Sequence, residues 1–403
     1  MELFWLEHKK LWRKKIVKIC VLLCFVYCVI FGSILSFQWF CFGSSDDYTS
    51  AFGNNFDGYT VIKDSQEYAL SFGGELTDET LQKIVSDYQQ MEADGMEEEL
   101  EKTDWQIVNS WLGTLYPELR DTSNYKTMIS YVDPDKLTGF YERRQQVLDE
   151  FLEVSGQVGA EKEFLHQIER KVEKPFRYEW VEGWSTLLGS MVADLGVVMA
   201  LFLGIVLSSL FAGEWHDNTS TLVLTTRNGW GKIALAKILT GLAFTVELFA
   251  LLAVSSVISQ LFFMGTAGWN MPIQNIKLIA VAPMNMLQAE IYEYAFVLLG
   301  AIGFAGIVMF ISAAVKNNVL TLLLSLAVVY GPMMIAEYLP YEMQKALDLI
   351  PLVGSSTDIF RTNTFRILGK LIWSPYLLIT IPVLIGILCM PFAIKSWSRR
   401  MKA

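Results

Sequence analysis

Six apolar runs punctuate the chain, at Ile16–Phe42, Leu187–Ala212, Ile233–Met264, Tyr294–Val315, Val319–Ile335 and Ile372–Ile394. Each is near or above the roughly 20 residues that cross a hydrocarbon layer of about 30 Å. Helices are expected in all six, because a bilayer offers no partner to backbone NH and CO groups and the runs lack the alternation of barrel strands. Between the first two runs, residues 43–186 change to helical spacing: Leu81, Ile84, Val85, Tyr88 and Met91 recur at three- and four-residue steps behind Thr77-Asp78-Glu79. Asp133-Pro134 predicts a second helix start, with Asp as cap and Pro in the first turn. A third helix, over Glu161–Lys174, places Phe164, Leu165, Ile168 and Val172 on one face, and Tyr59–Ile62 reads as a short strand. Ahead of the first run, within residues 1–15, Leu3, Phe4, Leu6, Leu11 and Trp12 alternate with charged residues as in an interfacial amphipathic helix. The fold class predicted is an α-helical polytopic membrane protein: six transmembrane helices with an α-rich (α+β) extracellular domain inserted between helices 1 and 2.

Composition strengthens this picture. Over 403 residues the chain is 53% apolar with mean hydropathy +0.35, a bias suited to membrane residence. Basic residues cluster before the first run (Lys9, Lys10, Arg13, Lys14, Lys15) and in the tail 395–403 (Lys395, Arg399, Arg400, Lys402), so both termini are expected in the cytoplasm of a multi-pass plasma-membrane protein. Lys345, Arg361, Arg366 and Lys370, between the last two runs, oppose that rule locally. Residues 43–185 hold 30 acidic and 13 basic side chains, a net −17 within a chain of net −10. Such a surface is either simply solvated or an attractant for a cationic ligand. With about 140 residues, the insertion is long enough for a core of its own. It contains no cysteine, so it is expected to fold without internal disulfides; Cys20, Cys24 and Cys28 read as small apolar side chains of the first span rather than metal ligands.

Candidate chemistry is sparse. A phosphate loop is missing, since Gly229-Trp-Gly-Lys232 lacks both the glycine spacing and the trailing hydroxyl. His8 and His216 are predicted on one side of the membrane and His166 on the other, which predicts neither a metal centre nor a nucleophile–base pair. The expectation is therefore a chain that is not an enzyme and binds no cofactor or nucleic acid. Within the spans, Asp194 and Glu247 are intramembrane acidic candidates, either paired with a polar group or lining a pathway. Gly300, Gly303 and Gly306 allow close helix approach, within one chain or between two copies. The aromatics Trp105, Trp111, Tyr116, Tyr125, Tyr131, Phe140 and Tyr141 suit a core or a ligand groove.

The segment FAGEWHDNTSTLVLTTRNGWGKIALAK, residues 211–237, carries the most information. An acidic residue ends one span, a leucine-bearing turn follows, and basic residues lead into the next span. Glu214, Thr219, Leu222, Leu224, Arg227 and Lys237 resemble the coupling segment of ABC-2-type exporter permeases, although Asn218 stands where glycine is usual and no proline precedes Arg227. The amphipathic start, the six spans, the large insertion and the apolar stretch Leu347–Gly354 around Pro351, read as a short re-entrant helix, are similar to the same family. The resemblance implies a permease subunit exporting a hydrophobic or amphipathic substrate, with antimicrobial-peptide export or immunity as the biology. It also implies a second or sister permease and separate ATPase subunits carrying ATP and magnesium. Segment 213–232, with Glu214, Arg227 and Lys232, would receive the push of those ATPases. The alternative is a non-transporting receptor or assembly anchor whose external domain binds a partner.

Overall fold

The computed structural model describes residues 2–30, 66, 73–96, 105–121, 123, 126–188, 192–216, 231–354 and 362–399. The strand expected at Tyr59–Ile62 and the outer half of the first apolar run lie outside them. Helix α1, Glu2–Arg13, is followed at once by α2, Lys15–Val29. Three Cys side chains of α2, Cys20, Cys24 and Cys28, are buried at four-residue spacing and face the other helices.

A lobe follows. Its strand β1, Gly74–Glu75, pairs antiparallel with β2, Arg177–Tyr178, and so ties together the beginning and end of the lobe. Between them, α3 spans Asp78–Ala93, with Thr77 as its cap accepting from Thr80 N, and buries the predicted stripe Leu81, Ile84, Val85 and Tyr88. Helix α4, Trp105–Leu115, buries Trp111, which with Tyr116 and Phe140 belongs to the lobe core rather than to a groove. The helix expected at Asp133-Pro134 is a single 3-10 turn, Pro134–Lys136. Asp133 does accept from a backbone NH there, but that NH belongs to Asp135, and the chain leaves the turn at Leu137. Helix α5, Phe140–Val154, begins after Gly139, whose φ of 72° makes it the turning point. Helix α6, Ala160–Glu169, ends five residues earlier than the pattern predicted, because Lys171 and Val172 close tight turns onto Ile168 and Glu169.

A short helix, α7 (Glu182–Thr186), leads to the apolar bundle. Its helices are α8, Val192–His216; α9, Lys232–Met264; α10, Met286–Ala314; α11, Asn318–Ile335; and, after the short α12 (Tyr341–Leu347) and a hairpin, α13, Ser374–Arg399. Among the described residues these five long helices are apolar and long enough to cross a membrane. Helix α10 starts eight residues before the apolar run at Tyr294, since Asn285 and Gln288 form a reciprocal capping box there. In place of the expected re-entrant helix, 348–354 is a succession of turns, with Leu352 at φ 63°. Ile372 belongs to a strand: β3, Thr364–Ile367, and β4, Lys370–Trp373, form a hairpin around Leu368-Gly369, both at positive φ. This is the backbone that matches strand twist.

Helices α10 and α13 pack most closely. A Cβ at Gly303 would collide with Pro382 O and one at Gly306 with Gly386 O, while at Gly300 it would come 3.0 Å from Leu352 Cδ2. The three glycines thus serve packing inside one chain. The lobe is not self-contained. Leu148, Leu152 and Leu165 share a core with Trp184, with Met271, Ile273 and Ala280 of the α9–α10 connector, and with Trp373.

Candidate functional site

The charged residues of α1 meet the bundle at one end. Glu214 lies in the last turn of α8, where the negative end of the helix dipole opposes a carboxylate. Two ammonium groups offset this. Lys10 Nζ is 2.6 Å and Lys237 Nζ 2.8 Å from the same oxygen, Glu214 Oε1, and Lys237 also holds Glu7 Oε2 at 2.8 Å. Glu214 is 4% exposed and Lys237 1%. Lys14 donates to Ser209 Oγ at 2.9 Å, and together these groups surround a cavity of about 30 Å³.

Beside this junction, Ser312 on α10 donates to Ser208 O and accepts from the NH groups of Phe211 and Ala212, tying α10 to α8. Trp215 packs edge-on against Trp397 of α13, and Lys316 sits 4.5 Å over the Trp215 ring. One end of the bundle is thus fastened by α1, α8, α9, α10 and α13, on either side of residues 217–230.

Of the residues predicted for the coupling segment, Glu214 is in this junction, and Lys232 is the exposed first residue of α9. Thr219, Leu222, Leu224 and Arg227 lie outside the described residues, as does the side chain of Asp194. Glu247 is not alone in its span. Its carboxylate takes Trp12 Nε1 at 3.0 Å and His8 Nε2 at 3.1 Å, so it fastens α1 along α9.

Three buried polar residues went unnoticed in the sequence. Glu290, Glu293 and Gln260 are 3%, 0% and 0% exposed; the Tyr294 hydroxyl lies beside Glu290, and no hydrogen bond of good geometry reaches the carboxyl and amide atoms of the three. Among the described residues no three His, Cys, Asp or Glu side chains gather as a metal site would require of those types alone.

A second constellation clamps the lobe to the connector. Arg144 on α5, fully buried, donates to Leu278 O at 2.7 Å and Ala280 O at 3.2 Å and pairs with Glu169 at 2.6 Å; Lys174 holds the same Glu169 oxygen at 2.8 Å. Burial lowers the Arg144 pKa from its ordinary value. Burial pushes Glu169 up, but hydrogen bonds from Lys174 and Arg144 outweigh it and hold the carboxyl below the usual range. Nearby, an open groove of about 440 Å³ is lined by Lys171, Arg177, Gln274 and Asn285.

No family of known proteins, no curated protein and no solved structure matches the chain.

Proposed function

We propose that this chain is the permease subunit of an ABC-2-type exporter, paired with a second copy or a sister permease and powered by separate ATPase subunits that carry ATP and magnesium. The observation that supports the reading most is the Glu214 junction. It fastens α1, α8 and α9 on both sides of 217–230, within the segment whose residues resemble the family's coupling region. A push at that segment reaches the bundle through buried ion pairs instead of dissipating in a loose loop. On this reading the Glu214 end and both termini are cytoplasmic, the run Ile16–Phe42 completes a sixth span of the cell membrane, and the lobe faces outward. The cargo is hydrophobic or amphipathic, and the acidic insertion suits a cationic antimicrobial peptide, exported or expelled in immunity.

The test is purification of the tagged chain from its native cells, with identification of copurifying proteins and their ATP hydrolysis. A stoichiometric ATPase, lost when 213–232 is altered, is expected. A second reading, a receptor or assembly anchor, draws support from the open groove between lobe and connector. A clean homo-oligomer without an ATPase would favour it over the permease.

A further inference from the structure

The buried residues Gln260, Glu290 and Glu293 belong to one place. Helices α9 and α10 run antiparallel, as the approach of Gly241 to Met309 and of Ser256 to Tyr294 requires. Ser256 Oγ and Tyr294 Oη are 2.8 Å apart. One helical turn further toward the connector, α9 presents Gln260 and α10 presents Glu290, so the amide is carried to the face of the carboxylate. Glu293 lies on the same buried face of α10, near enough to Glu290 for the two charges to interact.

The cluster is rich in acceptors. The two carboxylates bring four oxygens and Gln260 a fifth, none in a hydrogen bond of good geometry, with the Tyr294 hydroxyl beside Glu290. No Lys, Arg or His among the described residues pairs with either carboxylate. Two ionised carboxylates cannot be sustained in a buried site without compensation. Protonation of both carboxyls would remove the charge and supply two O–H donors, and this neutral, ion-free state is the alternative that the binding experiment tests. A cation held between the two helices would compensate both carboxylates and could take the Gln260 oxygen as a further ligand. All five oxygens are hard donors and their combined charge is −2, which suits a divalent hard ion. Mg²⁺ demands a strict octahedron and keeps several waters, for which a site 0–3% exposed has little room. Ca²⁺ accepts irregular oxygen ligation and gives up its water more readily.

We infer that Glu290, Glu293 and Gln260 form a Ca²⁺ site between α9 and α10. The ion would bridge the two helices where they enter the connector, and it is independent of whether the chain is a permease.

The experiment is equilibrium binding of ⁴⁵Ca²⁺ to the full chain in lipid nanodiscs at neutral pH, after stripping with a chelator. Saturable binding of about one ion per chain is expected. Glu290→Gln and Glu293→Gln should each bind roughly tenfold more weakly or worse, while Glu150→Gln, at an exposed lobe position, should match the parent. Ca²⁺ should also raise the melting temperature of the parent chain and not that of the two variants. Should these variants fail to accumulate, Gln260→Met, which keeps length and removes the amide oxygen, carries the same expectation. No saturable binding by the parent chain, equal competition by Na⁺ or Mg²⁺, or unchanged affinity in the variants would overturn the assignment.

Discussion

At the scale of single residues, the Glu214 junction is a set of charges that tolerate burial only together. Glu214→Gln leaves Lys237 buried beside Glu7, and Lys237→Met removes the buried one of the two ammonium groups on Glu214 Oε1, leaving half-exposed Lys10. Breaking one side of a buried pair costs about 3–5 kcal/mol, whereas replacing both sides is often nearly neutral. Each single variant should therefore melt well below the parent chain in detergent, and the double variant Glu214→Gln/Lys237→Met should recover part of the loss. Additive losses would mean that the two groups are not coupled. Glu214 was legible through the residues around it; its partner Lys10, and the Glu7 that shares Lys237 with it, were not, because more than 200 residues separate them from Glu214 and Lys237 and no local pattern links them. Glu290 and Glu293 escaped for a different reason. Two carboxylates next to an apolar run read as its polar boundary, although the Asn285–Gln288 capping box marked a helix start before them.

At the scale of elements, hydropathy located the long helices closely, since burial of apolar runs dominates their placement, except at the start of α10, eight residues before its apolar run. It failed where local geometry decides. At 134–136 a capped proline yields one 3-10 turn, and at 348–354 the chain turns against Gly300 of α10 instead of forming a helix. The α10–α13 contact is the element-level feature most sensitive to a single methyl group. Gly303→Ala would place Cβ against the backbone carbonyl of Pro382, which cannot rotate away as a side chain can. Overpacking of this kind costs about 1–3 kcal/mol, so the variant should lose thermal stability measurably. An unchanged melting temperature would show that the helices separate freely. The β3–β4 hairpin offers the opposite case. Leu368 is fully exposed at φ 51°, a conformation that Asn tolerates better than Leu. Leu368→Asn should stabilise the hairpin by roughly 0.5–1 kcal/mol, seen as slower hydrogen exchange of the Phe365 and Ile372 amides.

At the scale of the whole molecule, the question is whether lobe and bundle move as one body. Their shared core and the Arg144 clamp argue that they do. Arg144 reaches from α5 to the carbonyls of Leu278 and Ala280, and Glu169 fixes its guanidinium, so the connector between α9 and α10 is gripped by the lobe. The lowered pKa of Glu169 gives this grip a pH dependence of definite sign. A carboxyl whose pKa is lower folded than unfolded contributes stability that is complete above its unfolded value, near 4.3. That contribution is lost as pH falls through the lower folded value. At neutral pH, then, hydrogen exchange of 271–282 should be slow. Acidification below about pH 4 should speed it selectively, ahead of the lobe segment 81–88, which Leu81, Ile84 and Val85 bury independently of the clamp. Arg144→Ala should produce the same opening at neutral pH, because it leaves Glu169 buried with Lys174 alone. If 271–282 stays protected in both conditions, the apolar core around Met271, Ile273 and Trp184 is sufficient to hold lobe and bundle together, and the charge cluster acts only in positioning them.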